Sequence, residues 1–142
     1  HSQADGKDGI INDIEWHRRE IDGYRYLICY VNPADAADRG IRTDDIIRLH
    51  NDRGEVLFAA YVTERIRRGV IRTYESSALY EPIGRPGHSP DRGGCVNLLT
   101  NHRSQIRGGS SMAPNACLVE MERWREPVAT APVAAEMAMA EA

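Results

Sequence analysis

Asn97 and Thr100 bracket an apolar pair, Leu98-Leu99. A side-chain amide donates and accepts at once, so Asn97 can match a heterocycle edge that carries both kinds of group. A turn-capping asparagine would read the same way. A second group is Ser110, Ser111 and Asn115 beside Gly108 and Gly109. Glycines permit close backbone approach, and short neutral polar groups bond phosphate or a heterocycle without adding charge. A flexible serine-glycine loop is the plainer alternative. Glu75 and Ser76 follow Tyr74, and Asp52 lies in a turn sequence. A carboxylate at either place can accept two adjacent N–H groups from a ring, although turn acids are common in ordinary surfaces. His1, Ser2 and Gln3 add donors and acceptors at the start of the chain, where fraying is the ordinary expectation.

Other chemistries lack their residues. Cys29, Cys95 and Cys117 are widely spaced and form no Cys-x-x-Cys pair, so neither a zinc site nor an iron–sulfur cluster is signalled. Cys29 and Cys117 fall in apolar, strand-like runs and read as buried reduced thiols. His17, His50, His88 and His102 have no ligand spacing and read as surface or turn histidines. No acid pair stands out as general acid and base, and no nucleophile triad is legible. The net charge of −3 gives no reason to expect nucleic acid or an anionic membrane as a partner. No apolar stretch reaches transmembrane length. Arginines are concentrated between Arg39 and Arg107, while Lys7 is the only lysine. Arginine suits bidentate phosphate or carboxylate recognition, and codon bias with ordinary surface charge explains it equally simply.

The elements that must position these residues are short. Tyr24 to Val31 is a strand by its aromatic and aliphatic content. Asn32 is an N-cap with Pro33 at the first helical position. Asp35 suits the first turn, and Gly40 stops the helix after about two turns. A strand over Asp45–His50, a turn at Asn51-Asp52-Arg53-Gly54 and a returning strand over Glu55–Val62 follow. Val70–Tyr74 is a further short strand, and Ala116–Glu122 alternates as a half-buried one. Ile10, Ile11, Ile14 and Trp16 can form one amphipathic turn in an otherwise polar opening. Residues 75–94 are broken by prolines and glycines, and residues 100–114 are polar. Loops of this length in a small domain are usually functional. The length of 142 residues predicts one domain. There is no βαβ repeat and no glycine-rich phosphate fingerprint, which excludes a Rossmann reading.

The run from Asn32 to Gly54 resembles the C-terminal dinucleotide-binding domain of the molybdopterin oxidoreductases, the dimethyl sulfoxide reductase family. Four further segments carry the resemblance. They are His1-Ser2-Gln3, Thr63-Glu64-Arg65-Ile66-Arg67-Arg68-Gly69-Val70, Asn97-Leu98-Leu99-Thr100 and Cys117-Leu118-Val119-Glu120-Met121-Glu122. The wording around Tyr74-Glu75-Ser76-Ser77 and Ser110 to Asn115 is similar to the transhydroxylase-like branch.

The resemblance covers residues 1–124 and implies a mainly β fold, a double-psi β-barrel with one or two short helices and long polar loops. Residues 125–142 are low in complexity and are expected to be disordered. The barrel's first strand precedes His1 in the family, so the chain reads as the end of a larger catalytic polypeptide or as a small subunit completed by another chain. The implied cofactor is bis-molybdopterin guanine dinucleotide with molybdenum or tungsten. The implied contacts are His1, Ser2, Gln3, Glu75, Ser76, Asn97, Thr100, Ser110, Ser111 and Asn115. The metal's protein ligand belongs to another domain, so no catalytic residue is expected here. The implied partners are the remaining domains or catalytic subunit of the same oxidoreductase, and an iron–sulfur electron-transfer subunit. The two long loops are expected on one side of the barrel, with the Asn51–Gly54 turn at most at its rim. Two other classes share the barrel. A stand-alone double-psi interaction module does not need the Asn97–Thr100 wording or the polar loops. A self-processing decarboxylase barrel needs a glycine-serine bond, and Gly109-Ser110 lies in the wrong region for it.

Overall fold

The computed structural model of the chain describes residues 15–74, 79–101 and 117–128. Its central strands are those whose sequences are apolar on both sides. Strand β2 (Tyr24–Val31) and strand β4 (Glu55–Val62) run parallel, with Ile28 opposite Ala59 and Val31 opposite Val62. Strand β3 (Ile46–His50) pairs antiparallel with β4 and places Ile47 opposite Phe58 and Leu49 opposite Val56. Strand β6 (Glu120–Arg123) pairs with the far side of β3. Strands β1 (Arg18–Ile21) and β5 (Ile71–Thr73) pair antiparallel with successive parts of β2. The described residues are thus mainly β, a six-stranded sheet in the order β1-β2-β4-β3-β6, with β5 also on β2.

Side chains alternate across a strand. One face of the sheet buries Leu27, Cys29, Val31, Ile47, Leu49, Val56, Phe58 and Ala60. The other buries Tyr26, Ile28, Leu57 and Ala59. Strands covered on both faces read as continuous apolar runs, which is why β2 and β4 are so legible in the sequence.

Helix α1 (Pro33–Asp38) joins β2 to β3. Its start is built as its residues dictate: Asn32 Oδ1 accepts from the Ala34 N–H at 2.9 Å, and Pro33 occupies the first turn. Gly40 ends it at φ 63°, where a Cβ would be strained. Asp35 does more than favour the helix dipole. It is buried, its Oδ2 accepts from the Gly69 N–H at 2.7 Å, and Asn32 Nδ2 donates to the Ile66 carbonyl at 2.8 Å. The helix thereby pins the connection between β4 and β5.

Strand β1 is not evident from its sequence, Arg-Arg-Glu-Ile. It forms because Asp22 and Gly23, at φ 51° and 78°, make a two-residue turn whose twist matches a hairpin. Trp16, in a 3-10 turn over Glu15–His17, is 65% exposed; Ile10, Ile11 and Ile14 lie outside the described residues. His17 is half-buried and stacks on Tyr74 at 3.8 Å, so it is not a bare surface residue. The closing strand begins at Glu120, with residues 117–119 outside it, and its register with β3 places Met121 opposite Leu49; Ala116 lies outside the described residues. No helix among the described residues is long and apolar enough to cross a membrane.

Candidate functional site

Residues 81–92 form an irregular hairpin rather than an open loop. Arg92 N–H donates to the Glu81 carbonyl, and Ile83 N–H donates to that of Pro90, each at 2.9 Å. The far strand of this hairpin docks on β4: Leu57 N–H donates to the Asp91 carbonyl at 2.7 Å, and Asp91 N–H donates to that of Glu55 at 3.0 Å.

The Asp91 side chain is fully buried and collects four backbone donors. Oδ1 accepts from Glu81 N–H at 2.6 Å and Gly93 N–H at 3.1 Å. Oδ2 accepts from Gly94 N–H at 3.0 Å and Cys95 N–H at 2.7 Å. Donors of this kind bond a carboxylate more strongly than a neutral acceptor. Two buried arginines, Arg18 and Arg92, pack in the same region. Arg18 donates to the Arg25 carbonyl at 2.8 Å and to that of Gly93 at 3.4 Å. The Arg92 guanidinium lies 4.3 Å from the Tyr24 ring centre and 3.6 Å from the Glu81 carboxylate. Burial lowers the pKa of Arg18, against the opposing pull of Tyr24, Glu81 and Asp91. Burial pushes the Tyr24 hydroxyl above its ordinary range, and the Glu81 charge adds to this. Burial likewise raises the Cys95 thiol, and the Asp91 charge raises it further.

The chain leaves this knot directly into a 3-10 turn over Val96–Leu98. Leu99 is buried in the main core. Asn97 is exposed, and its side chain makes no hydrogen bond among the described residues. Its amide is therefore not spent on capping its own turn. The Thr100 hydroxyl donates to the Asn97 carbonyl at 3.2 Å and closes the turn. The Asn51–Gly54 turn is in direct contact with this segment. Asn51 Nδ2 donates to the Leu99 carbonyl at 2.9 Å and to that of Leu118 at 3.1 Å, and Arg53 Nε donates to Leu99 at 2.9 Å. A Cβ on Gly54 would stand 2.9 Å from the Leu98 carbonyl oxygen, so the glycine is what allows this approach.

Of the residues singled out from the sequence, Asn97 and Thr100 come together on this turn. Asp52 is exposed and pairs with Arg53 at 3.6 Å. His1, Ser2, Gln3, Glu75, Ser76, Ser110, Ser111 and Asn115 lie outside the described residues. Asp91 was missed, as was the role of Arg18. The available signal was Asp91-Arg92-Gly93-Gly94, an acid followed by two glycines whose N–H groups are sterically free to turn back on it. Among the described residues no cluster of His, Cys, Asp and Glu could hold a metal ion.

Comparison with known proteins gives this turn its context. Residues 12–131 match the family described as the molydopterin dinucleotide binding domain, and the chain belongs to that family. It is 49% identical over 124 residues to the pyrogallol hydroxytransferase large subunit of Pelobacter acidigallici, covering 87% of this chain and 14% of that one. It is 40% identical over 119 residues to the dimethyl sulfoxide/trimethylamine N-oxide reductase of Rhodobacter capsulatus, covering 76% and 14%. With the trimethylamine-N-oxide reductase of Haemophilus influenzae it shares 38% identity over 96 residues, covering 66% and 12%. The chain thus spans about a seventh or less of each of these relatives.

Proposed function

We propose that this chain forms one wall of a bis-molybdopterin guanine dinucleotide site in a molybdenum or tungsten oxidoreductase, and that Asn97 is one of its cofactor contacts. The observation that carries this reading is the exposed, uncommitted Asn97 amide on a turn held at both ends. A pterin or guanine edge presents donor and acceptor side by side, and a primary amide complements both. An exposed neutral amide is the kind of donor and acceptor such a group needs. Thr100, His1, Ser2, Gln3, Glu75, Ser76, Ser110, Ser111 and Asn115 complete the proposed contacts. When bound, the cofactor supplies the metal's redox chemistry; the residues of this chain bind it, orient it and exclude water.

The finer architecture belongs to the same proposal. The parallel β2–β4 pair and the pinned connection between β4 and β5 support a double-psi barrel over residues 1–124, with residues 125–142 as a tail. The higher identity to the pyrogallol hydroxytransferase large subunit supports the transhydroxylase-like branch. The remaining domains of a larger catalytic polypeptide, with an iron–sulfur electron-transfer subunit, are the proposed partners.

The test is Asn97→Ala in the full-length enzyme. Leaving a buried ring group unpaired costs about 1–3 kcal/mol, so cofactor content falls while the melting temperature of the apoprotein holds. Unchanged cofactor content with a sharply lower melting temperature would assign Asn97 to the fold instead.

A further inference from the structure

We infer that Asp91 is a positioning residue for the cofactor, acting through Asn97; this rests on the reading of Asn97 as a cofactor contact. Asp91 refers three separate pieces of chain to each other, by its backbone and its carboxylate. Its backbone is in register with β4 through Leu57 and Glu55. Its Oδ1 holds the start of the hairpin through Glu81 N–H. Its Oδ1 and Oδ2 together hold the three consecutive N–H groups of Gly93, Gly94 and Cys95. Cys95 immediately precedes the turn that bears Asn97, and the Leu98 N–H donates back to the Cys95 carbonyl at 3.1 Å. The position of the Asn97 amide is thus set from a rigid central strand through one buried side chain, two residues of backbone and one turn. A ligand contact must be held to a fraction of an ångström, and side chains fixed by such supporting bonds achieve this.

The geometry also explains the residues on either side. Gly94 has φ 91°, which an L side chain rarely adopts. A Cβ on Gly93 would lie 2.3 Å from the Leu79 carbonyl oxygen. Arg18, brought by β1, donates to the Gly93 carbonyl. The knot is therefore specified by several residues that have no reason to be in a plain surface loop.

Asp91→Asn keeps the shape and breaks the function of the knot. An amide has one oxygen, so two of the four N–H donors would face an NH2 group. Gly94→Ala strains the same turn without removing a buried charge, and it answers the question if Asp91→Asn does not fold. Both are made in the full-length enzyme alongside Asn97→Ala. Folded, monodisperse protein is assayed for dinucleotide and metal content, for the electron paramagnetic resonance spectrum of the bound metal, and for amide hydrogen exchange.

The expected result is faster exchange in peptides spanning residues 91–98, unchanged protection in β2 and β4, and cofactor retention lowered about fivefold or more, as in Asn97→Ala. Any cofactor that remains gives an altered spectrum. Faster exchange with cofactor content and spectrum like wild type, while Asn97→Ala loses cofactor, would overturn the positioning role and leave the cofactor site standing. Loss of cofactor in Asp91→Asn but not in Asn97→Ala would overturn the route through Asn97. Retention in all three variants would overturn both readings.

Discussion

Asn51 and Leu99, 48 positions apart in sequence, are joined by a 2.9 Å hydrogen bond from the Asn51 amide to the Leu99 carbonyl. The same amide nitrogen donates to the Leu118 carbonyl, and the same side chain accepts from Arg53 N–H through its oxygen at 2.9 Å. One turn residue thus supports both the Asn97–Thr100 segment and the approach to β6. Asn51→Asp keeps the acceptor and removes both donations, so the Leu99 carbonyl keeps only its bond from Arg53, the Leu118 carbonyl loses its partner, and both face a carboxylate. Its cost is about 1–3 kcal/mol, read as a lower midpoint in urea. A midpoint like wild type would show that these carbonyls are satisfied elsewhere.

Gly54 and Gly40 separate two reasons for a glycine. Gly40 adopts φ 63° with nothing within 4 Å of a built Cβ, whereas Gly54 would drive a Cβ against the Leu98 carbonyl. Gly40→Ala therefore costs about 1 kcal/mol of stability and leaves cofactor content unchanged. Gly54→Ala displaces the turn that carries Asn97 and lowers cofactor content as well. Equal cofactor content in the two variants would break this distinction.

Asp35 is the helix's tether to the connection between β4 and β5, through Gly69 N–H and the Arg68 guanidinium at 3.5 Å. Asp35→Ala strands a backbone N–H in a half-buried position, at about 1–3 kcal/mol. Faster hydrogen exchange is expected at residues 66–70, ahead of the sheet. Uniform exchange across the protein would show that helix and connection are not separable from the sheet.

Alkaline pH tests the core. Cys29 is completely buried, and burial pushes its thiol from 9.0 up to about 12. The folded chain keeps this proton between those values while the unfolded chain releases it, so stability falls as pH rises from about 9. Tyr24, Tyr26 and Tyr74, each raised above 10.0 chiefly by burial, steepen the fall beyond pH 10. Cys29→Ala removes its part of the earlier component and leaves that of Cys95, whose thiol is also raised by burial, so its stability falls less steeply between about pH 9 and pH 10 than that of wild type. Denaturant midpoints from pH 7 to 10.5 measure both slopes; identical slopes in the two proteins would refute this account.

Local chemistry alone determined much of this protein. Asn32, Pro33 and Gly40 delimit α1 because caps and positive φ are decided within a few residues of chain. The apolar runs of β2 and β4 match their strands because burial on both faces leaves no alternation to misread. The Asn97–Thr100 wording marked the proposed cofactor segment, yet whether its amide capped the turn or stood exposed depended on distant neighbours. Tertiary structure decided the rest. Arg18–Ile21 is polar and becomes a strand only because β2 offers an edge and Asp22-Gly23 turns it back. The closing strand starts where β3 gives it a register, not where its alternation begins. Asp91 looks like any loop acid until four N–H groups from two parts of the chain converge on it. Caps and apolar periodicity act within a few residues and are written in the order of residues. Edge pairing, register and convergent hydrogen bonds join residues far apart in sequence, and only the folded chain brings them into contact.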